Sequence, residues 1–219
     1  MKKEFAVIGL GRFGGSIVEE LRELDVDVLA IDVDAERVKD FQDIATESVI
    51  ADTTEEQVLK DLGLRNFDHV VVAIGDNIQS SILTTLLLKD LDVNRVTVKA
   101  QSSYHARVLE KIGADFVVHP ERDMGRRIAH KLVSNSVMDY LELGGEYSVV
   151  EYLANEKMIG RSILDLDIRA EYGISIMAIK REDDIIVSPD PAVKVLTGDV
   201  LISIGNDEDL NYFEKKMMG

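Results

Sequence analysis

Short apolar runs alternate with amphipathic stretches along the first 120 residues of the chain. The runs are spaced as strands and lie at 5–9, 26–31, 48–51, 69–74, 95–100 and 116–118. Between them, apolar residues recur every three or four positions, which predicts a helix after each strand. The repeated strand–helix units favour an α/β fold, a Rossmann-like doubly wound parallel sheet that we assign to a domain over 1–120.

The pattern changes after the sixth strand. Residues 121–143 carry a broad apolar stripe at helical spacing, which predicts one crossover or linker helix. Such a stripe must be buried, either on its own sheet or on a partner subunit. Gly144 and Gly145 mark the predicted start of a smaller α+β domain over 144–219. Its short strands are expected at 148–153, 174–180, 185–187 and 200–204, before a closing helix at 206–217.

A glycine-rich loop joins the first strand to the first helix. Gly9 permits a tight turn, Gly11 lets a diphosphate approach the backbone, and Gly14 lets the helix pack close to the strand. Asp32, at the end of the second strand, is placed to accept hydrogen bonds from ribose hydroxyls. Val33 follows it instead of an arginine, so a 2′-phosphate is disfavoured. In the alternative interpretation, the glycines only shape a turn and Asp32 only caps a helix.

The other strand ends contribute candidate residues to the same crevice. Arg12 is expected either to contact a phosphate, in its own site or a neighbouring subunit's, or to be a solvated surface arginine. Lys99, at the end of the fifth strand, needs an anionic partner. Glu121 either caps its helix or has a binding role. The remaining nucleotide-site candidates are Phe13, Val33, Asp52, Thr53, Ala73, Ile74 and Gly75, and the loop after the fourth strand continues along the crevice with Asp76 and Asn77.

Asp52 and Thr53 have a second interpretation. With Glu55 and Glu56 they form a capping-box pattern that predicts a helix through Leu62. Both residues can therefore serve as a helix cap instead of binding a ligand.

Composition and charge narrow the class of protein. The 219 residues include no cysteine, so disulfides and thiolate metal sites are excluded. No apolar run approaches the roughly 20 residues that a membrane-spanning helix needs, so we expect a soluble, cytoplasmic protein. The formal net charge is −16, and a nucleic-acid partner is not expected because such proteins present a basic face.

No catalytic constellation accompanies the nucleotide fingerprint. The second domain contains neither histidine nor cysteine, and no Ser-His-Asp or metal-spaced cluster is present. We therefore expect a ligand-binding module and not an enzyme. An NAD-dependent oxidoreductase stays open as the alternative, because the glycines and Asp32 also suit NAD or NADH. A redox sensor that binds NADH and DNA is a weaker alternative, since the negative charge opposes it.

Five motifs of the first domain occur in a characteristic order. They are FAVIGLGRFGG at 5–15, NFDHVVVAIG at 66–75, VKAQ at 98–101, KIGAD at 111–115 and HPERDM at 119–124. The first four resemble the RCK (KTN) domains that regulate potassium channels and transporters. The last narrows the resemblance to gating subunits of bacterial Ktr potassium-uptake systems, the KtrA/KtrC type. The segments at 164–174 and 198–205 resemble the RCK C-terminal lobe, so the resemblance covers essentially the whole chain.

The resemblance implies a cytoplasmic subunit that lies against the inner face of the membrane through its transporter partner. Homodimers would assemble into an octameric ring on a membrane potassium-translocating subunit, with ATP favouring the open transporter and ADP the inactive one. The matching glycines and Asp32 would hold the nucleotide. Arg12 would reach a γ-phosphate across the dimer interface, and Glu121 would help to hold Mg²⁺, Ca²⁺ or Na⁺ there.

The resemblance also implies an inhibitory ligand in the second domain. The C-terminal lobe of such proteins binds cyclic di-AMP at a dimer interface, which inactivates uptake. The matching positions are Ile168, Arg169, Ile174, Ile176 and Pro189. The chain has Ser175 where relatives carry asparagine.

Overall fold

The structure is a computed structural model that describes residues 3–134 and 136–218. The chain divides into two compact units, Met1–Glu121 and Arg122–Gly219. Each unit has its own sheet, and the two sheets are of different kinds.

A six-stranded, wholly parallel sheet forms the first unit, in the order β3-β2-β1-β4-β5-β6. Its strands are β1 Glu4–Ile8, β2 Asp27–Asp32, β3 Glu47–Ile50, β4 His69–Val72, β5 Val96–Lys99 and β6 Phe116–Val118. Its helices are α1 Arg12–Glu23, α2 Ala35–Asp40, α3 Glu56–Asp61, α4 Ile78–Asp90 and α5 Ser103–Lys111, with a 3₁₀ turn at Leu64–Asn66. The predicted doubly wound parallel sheet is confirmed.

Two hydrophobic cores lie on the two faces of this sheet. Along β1, Ala6 and Ile8 belong to one core, whereas Val7 between them belongs to the other. Successive side chains of a strand point to opposite faces, so a central strand covered on both sides needs apolar residues at every position. The continuous apolar runs of the sequence follow from this arrangement.

The predicted capping box at 52–56 is wrong. Helix α3 begins after Glu55, which makes no side-chain cap. Asp52 instead accepts hydrogen bonds from the backbone N–H and the hydroxyl of Thr54, at 3.0 and 2.7 Å. This local turn keeps Asp52 at the end of β3 and delays the start of the helix.

The second unit is built on a five-stranded antiparallel sheet, in the order β10-β9-β11-β8-β7. Its strands are β7 Val137–Gly144, β8 Tyr147–Leu153, β9 Ser175–Arg181, β10 Asp184–Val187 and β11 Val200–Asn206. Its helices are α6 Pro120–Val133, which starts at the end of the first unit, α7 Ile163–Leu166, α8 Ile168–Tyr172 and α9 Asp207–Phe213, followed by a π-helical turn at Glu214–Met218. The predicted α+β character of this part is confirmed.

The prediction of one helix over 121–143 is wrong beyond Val133, where α6 ends. Residues 137–144 form β7, which pairs with β8. Gly144 and Gly145, predicted as a domain boundary, lie instead at the turn of this hairpin, with φ angles of +95° and +64°. Those left-handed conformations, which suit glycine, reverse the chain and allow β7 to add to the edge of β8.

Helix α6 has no buried residue in the part of the chain that the structure describes. Its exposed apolar side chains are Met124, Ile128, Leu132 and Val133. Over residues 3–134 and 136–218, none of the helices combines the length and the apolar composition that crossing a bilayer requires.

Candidate functional site

A crevice runs along the edge of the first unit where the parallel strands end. The cavity has a volume of about 710 Å³, within the usual range for small-molecule sites. Every predicted nucleotide-site residue except Gly14 lines it, as does Glu121. The strand order places the ends of β3, β2, β1, β4 and β5 side by side, so a ligand lying here would pass them in that order.

The glycine loop forms the middle of the crevice, at the end of β1. Gly9 has a φ of +94°, and a Cβ there would lie 3.0 Å from the backbone of Ala73 and Ile74. A Cβ at Gly14 would lie 1.9 Å from the Gly9 carbonyl oxygen, so only glycine allows α1 to pack this closely on β1. Gly14 therefore shapes the site from behind without lining it.

Helix α1 begins at this loop and points its N-terminus into the crevice. Gly11 is the N-cap residue and offers no side-chain hydrogen bond to the first turn, which also lacks an acidic residue. Free N–H groups at a helix N-terminus bind anions, and the helix dipole adds to the attraction. A Cβ on Gly11 would have a guanidinium nitrogen of Arg37 as its nearest neighbour, at 3.8 Å, so the space beside Gly11 can admit a phosphate.

Asp32 ends β2 and is 7% exposed. One of its carboxylate oxygens accepts a hydrogen bond from the Leu10 N–H at 2.7 Å, and the other accepts one from the Asp34 N–H at 2.9 Å. The carboxylate thus holds both the glycine loop and the start of α2 in place. Each oxygen keeps a second lone pair, so the same group can also accept from ribose hydroxyls.

Arg37 is a crevice residue that the sequence reasoning missed. Its guanidinium lies 3.7 Å from the Asp32 carboxylate, 3.7 Å from Asp34 and 3.5 Å from Asp76. The expected exclusion of a 2′-phosphate rested on Val33 and Asp34, the residues directly after Asp32. Arg37 comes later, on α2, and the helix places its guanidinium beside the Asp32 carboxylate.

The ends of β3 and β4 complete this side of the crevice. Asp52 is exposed, and hydrogen bonds from Thr54 lower the pKa of its carboxyl. The hydroxyl of Thr53 is buried and bonded to that of Thr84 at 3.0 Å, so the Thr53 side chain has a packing role. Asn77 caps α4 by accepting from the Ser80 N–H. The sequence predicted this wall at Ala73, Ile74, Gly75, Asp76 and Asn77 but missed Ser80.

The ends of β5 and β6 bring a cation and a carboxylate together in the crevice. Lys99 donates a hydrogen bond to Glu121 at 2.5 Å, and its ammonium lies 5.8 Å from the centroid of the Phe13 ring. The Lys99 bond is the main reason that the pKa of Glu121 lies below its usual range, and the positive charge of Arg12 contributes. The Gln101 side-chain amide donates to the Gly75 carbonyl beside this pair.

The crevice therefore has two ends of opposite character. Asp32, Asp34 and Asp52 follow β2 and β3 on one side of the glycine loop, and the Arg37 guanidinium lies near Asp32, Asp34 and also Asp76, which follows β4. Lys99 lies on the other side of the glycine loop, and Arg12 lies within the loop. A ligand with hydroxyl donors at one end and phosphates at the other complements this distribution of charge.

Glu121 is the carboxylate that the sequence resemblance associates with a cation. Oxygen donors of this kind suit Mg²⁺ and Ca²⁺. Within the described residues, no three His, Asp or Glu side chains come together as a metal site.

The predicted cyclic di-AMP positions lie in the second unit. Ile168 and Ile174 are buried in its hydrophobic core, and Ile176 packs against the core from β9. Arg169 is exposed on α8, whereas Pro189 is partly buried after β10. The side chains of Ile168 and Ile174 thus serve packing, and Arg169 is the charged group of this set that solvent reaches.

Comparison with known proteins assigns both parts of the chain. Residues 5–120 match the TrkA-N domain family, and residues 149–218 match the TrkA-C domain family.

Close relatives cover the full length. The chain is 60% identical to Ktr system potassium uptake protein C of Bacillus subtilis (strain 168) over 218 residues, covering 100% of this chain and 99% of the relative. It is 52% identical to Ktr system potassium uptake protein A of the same organism over 216 residues, covering 99% and 97%.

A solved structure of the GsuK channel bound to NAD has a similar fold. The TM-score is 0.52 at 25% identity, and the match covers 99% of this chain but 39% of the channel chain. The chain thus spans about two fifths of that channel's length. The family matches and the full-length relatives show that the chain belongs to the TrkA-N/TrkA-C (RCK) family of potassium-transport regulators, within the Ktr group of potassium-uptake proteins.

Proposed function

We propose that the chain is a cytoplasmic regulatory subunit that switches a membrane potassium-translocating subunit according to whether ATP or ADP is bound. The observation that carries this proposal is the crevice with an acidic end, a helix N-terminus in the middle and a cationic end. Membership of the Ktr group supports the potassium-uptake context. ATP favours the open state in this proposal, and ADP favours the inactive one.

The charge distribution orients the nucleotide. The ribose hydroxyls bond to Asp32, and the base lies towards the end of β3, where Val33, Ala51 and Asp52 line the cavity. The first two phosphates lie on the N-terminus of α1. In the sheet, β5 lies two strands away from β1, whose end carries the glycine loop. Adjacent parallel strands are about 4.8 Å apart, so the backbone of Lys99 at the end of β5 is displaced from the glycine loop by two such spacings. That position suits a third phosphate, which ADP lacks.

Arg12 supplies the second contact that distinguishes the two nucleotides. It lies on the first turn of α1, where its long side chain can reach away from its own crevice. We place it on the γ-phosphate of a neighbouring subunit in a homodimer. A ligand can shift an equilibrium only through contacts that differ between the two states, and this contact exists only with ATP.

Glu121 is the proposed protein ligand of a cation between the nucleotide and the dimer interface. Its carboxylate fits Mg²⁺, Ca²⁺ or Na⁺ as a single oxygen donor. The bound cation would neutralise phosphate charge, and Glu121 would orient it. The remaining donors would come from the phosphates.

Assembly into a ring of about eight chains is part of the proposal. The apolar residues of α6 are exposed in the single chain, and burying them on a partner would remove this surface from water. A ring of this kind docks on the membrane subunit from the cytoplasmic side.

The second unit is the proposed site of inhibition by cyclic di-AMP. The positions that match the family's site are Ile168, Arg169, Ile174, Ile176 and Pro189. Arg169 can pair with a phosphate of the dinucleotide. Binding at a dimer interface would couple this unit to uptake.

The experiment is a comparison of ATP and ADP binding to the purified chain and to Arg12→Ala. We expect Arg12→Ala to weaken ATP binding roughly tenfold or more while ADP binding stays within a factor of about two, because only ATP meets the arginine. Light scattering of the same samples should give a ring of about eight chains. Equal losses for both nucleotides would contradict the γ-phosphate role of Arg12.

NAD binding is the second candidate. The GsuK channel bound to NAD shares this fold, and the Asp32 carboxylate suits the adenosine ribose of either ligand. An NAD-dependent oxidoreductase would have to transfer hydride to a substrate, and we propose that this chain does not. Tight binding of NADH that excludes ATP, together with NADH turnover on a substrate panel, would favour the enzyme.

A further inference from the structure

The Lys99–Glu121 ion pair joins two very unequal partners. The Lys99 side chain is 12% exposed, whereas that of Glu121 is 70% exposed. Lys99 therefore keeps its charge inside the crevice and needs a counter-charge there. Glu121 lies largely in water and loses little when it leaves.

The surroundings of Lys99 direct its ammonium towards the phosphate loop. It lies 5.8 Å from the ring centroid of Phe13, which belongs to that loop, and a Cβ on Gly75 would lie 3.6 Å from it. Both neighbours line the same cavity as Lys99. A phosphate placed beyond the loop would thus find Lys99 already aimed at it but bonded to Glu121.

We propose that Lys99 exchanges Glu121 for the terminal phosphate of ATP, so that Glu121 occupies the phosphate position in the nucleotide-free chain. This inference rests on the proposed function, since it concerns how the same crevice distinguishes ATP from ADP. ADP ends before Lys99 and leaves the pair closed. ATP opens it and releases the Glu121 carboxylate in the first turn of α6.

The exchange keeps Lys99 paired in both states. A phosphate oxygen replaces a carboxylate oxygen, so the buried ammonium is never left without a partner. The group whose situation changes is Glu121, which loses its hydrogen-bond donor. Its pKa is lowered mainly by Lys99, and the positive charge of Arg12 contributes. The carboxylate thus interacts with two of the cations that we assign to the phosphate end.

The test measures ATP and ADP affinity of the full chain by calorimetry in EDTA, so that no divalent cation contributes. The variants are Glu121→Gln, Lys99→Met and the double variant. Asp123→Asn is the matched control, because it removes the same charge from an exposed carboxylate two residues away that pairs with Arg122. Circular dichroism and thermal unfolding check that each variant is folded.

We expect Glu121→Gln to tighten ATP binding roughly three- to tenfold and to change ADP binding less than about twofold, since ATP no longer displaces the carboxylate. Asp123→Asn should change neither affinity. In the Lys99→Met background, Glu121→Gln should have no further effect.

Weaker ATP binding by Glu121→Gln in EDTA would overturn the exchange. An equal gain for ADP, or a gain that persists without Lys99, would do the same. If the wild-type chain binds neither nucleotide in EDTA or with magnesium, the proposed function fails and this inference falls with it. If the wild type binds both ATP and ADP but Glu121→Gln shows none of these effects, only the proposed exchange is wrong.

Discussion

The two ends of the crevice are built in different ways. At the end that we assign to the ribose, Asp32 is buried and fixed by two backbone N–H groups, so its position is part of the fold. At the end that we assign to the phosphates, Lys99 is held by one exposed carboxylate, and Arg12 is itself exposed. One end is preformed, whereas the other can rearrange.

This difference suggests how one site can bind two nucleotides and distinguish them. In the proposed function, the preformed end recognises what ATP and ADP share, and the adjustable end recognises the phosphate that differs. Differential contacts are what a ligand needs in order to shift a conformational equilibrium.

Substitution of Asp32 should have the largest effect on both nucleotides. Asp32→Asn replaces one acceptor oxygen by an amide that cannot accept, so one of the Leu10 and Asp34 N–H groups loses its partner. We expect the free energy of unfolding to fall by about 1–3 kcal/mol, and ATP and ADP binding to weaken together by roughly tenfold or more. Urea unfolding and calorimetry measure the two quantities.

Asp34→Asn is the control for this change. Asp34 caps α2 by accepting from the Glu36 N–H, and asparagine caps a helix about as well as aspartate. Stability and binding should therefore stay close to wild type. A loss by Asp32→Asn that affects ATP and spares ADP would contradict the assignment of the ribose end.

Substitution of the glycine loop, in the middle of the crevice, should also weaken the binding of both nucleotides. A Cβ at Gly11 has no atom closer than 3.8 Å in the chain, so Gly11→Ala should fold with nearly wild-type stability. The methyl group would instead meet the diphosphate, and we expect ATP and ADP to bind roughly tenfold more weakly. Gly14→Ala is the contrast, because its Cβ would lie 1.9 Å from the Gly9 carbonyl oxygen and should lower stability. Unchanged nucleotide binding by folded Gly11→Ala would show that no phosphate passes there.

Substitution of Arg37 should have a smaller effect on nucleotide affinity. Arg37→Met removes the cation that lies between Asp32, Asp34 and Asp76 and leaves the acidic end uncompensated. Binding of both nucleotides should weaken a few-fold, about two to five times, since these contacts are partly solvent-screened. Lys39→Met removes the same charge from an exposed position on the same helix and should have no effect. Equal effects of the two variants would mean that only long-range charge matters.

The smallest expected effect is on the free energy of unfolding, which should depend on pH through Glu121 and its bond to Lys99. Because Lys99 lowers the pKa of Glu121, the pair stabilises the nucleotide-free protein fully above the ordinary Glu value of 4.5. This stabilisation is lost as the pH falls through the lower pKa of the folded state. The difference in unfolding free energy between wild type and Glu121→Gln should be below about 0.5 kcal/mol at neutral pH, because Glu121 is exposed.

Urea unfolding of both proteins across this pH range measures that difference. It should shrink as the pH falls below the ordinary value. A difference that stays constant into acid would show that Glu121 contributes by something other than its charge.

The parallel sheet could be predicted from the sequence because its signal is local. Strands buried on both faces need continuous apolar runs, and the run at 69–74 gives β4 to within two residues of its end. The hairpin of β7 and β8 was only half predicted. Val137, Met138 and Leu141 are spaced as a helix, yet they belong to β7, whose partner β8 lies beyond the turn. Pairing of this kind depends on a partner strand that spacing alone does not reveal.

The residues of the candidate site also form two groups, one that the sequence locates and one that only the fold brings together. The glycines and Asp32 follow a fixed spacing tied to one strand–turn–helix unit, so the sequence locates them. Arg37 and Asp76 come from different parts of the chain that only the fold brings within 3.5 Å of each other. The Lys99–Glu121 pair likewise joins positions 22 residues apart.

The most direct test of the account is one binding series on one sample of the full chain. AMP, ADP, ATP and NADH would be titrated by calorimetry under identical conditions with magnesium. The account predicts weak binding of AMP, a large gain for ADP from the N-terminus of α1 and a further gain for ATP from Lys99 and Arg12. Affinity that does not rise with the number of phosphates, or binding of NADH alone, would contradict it.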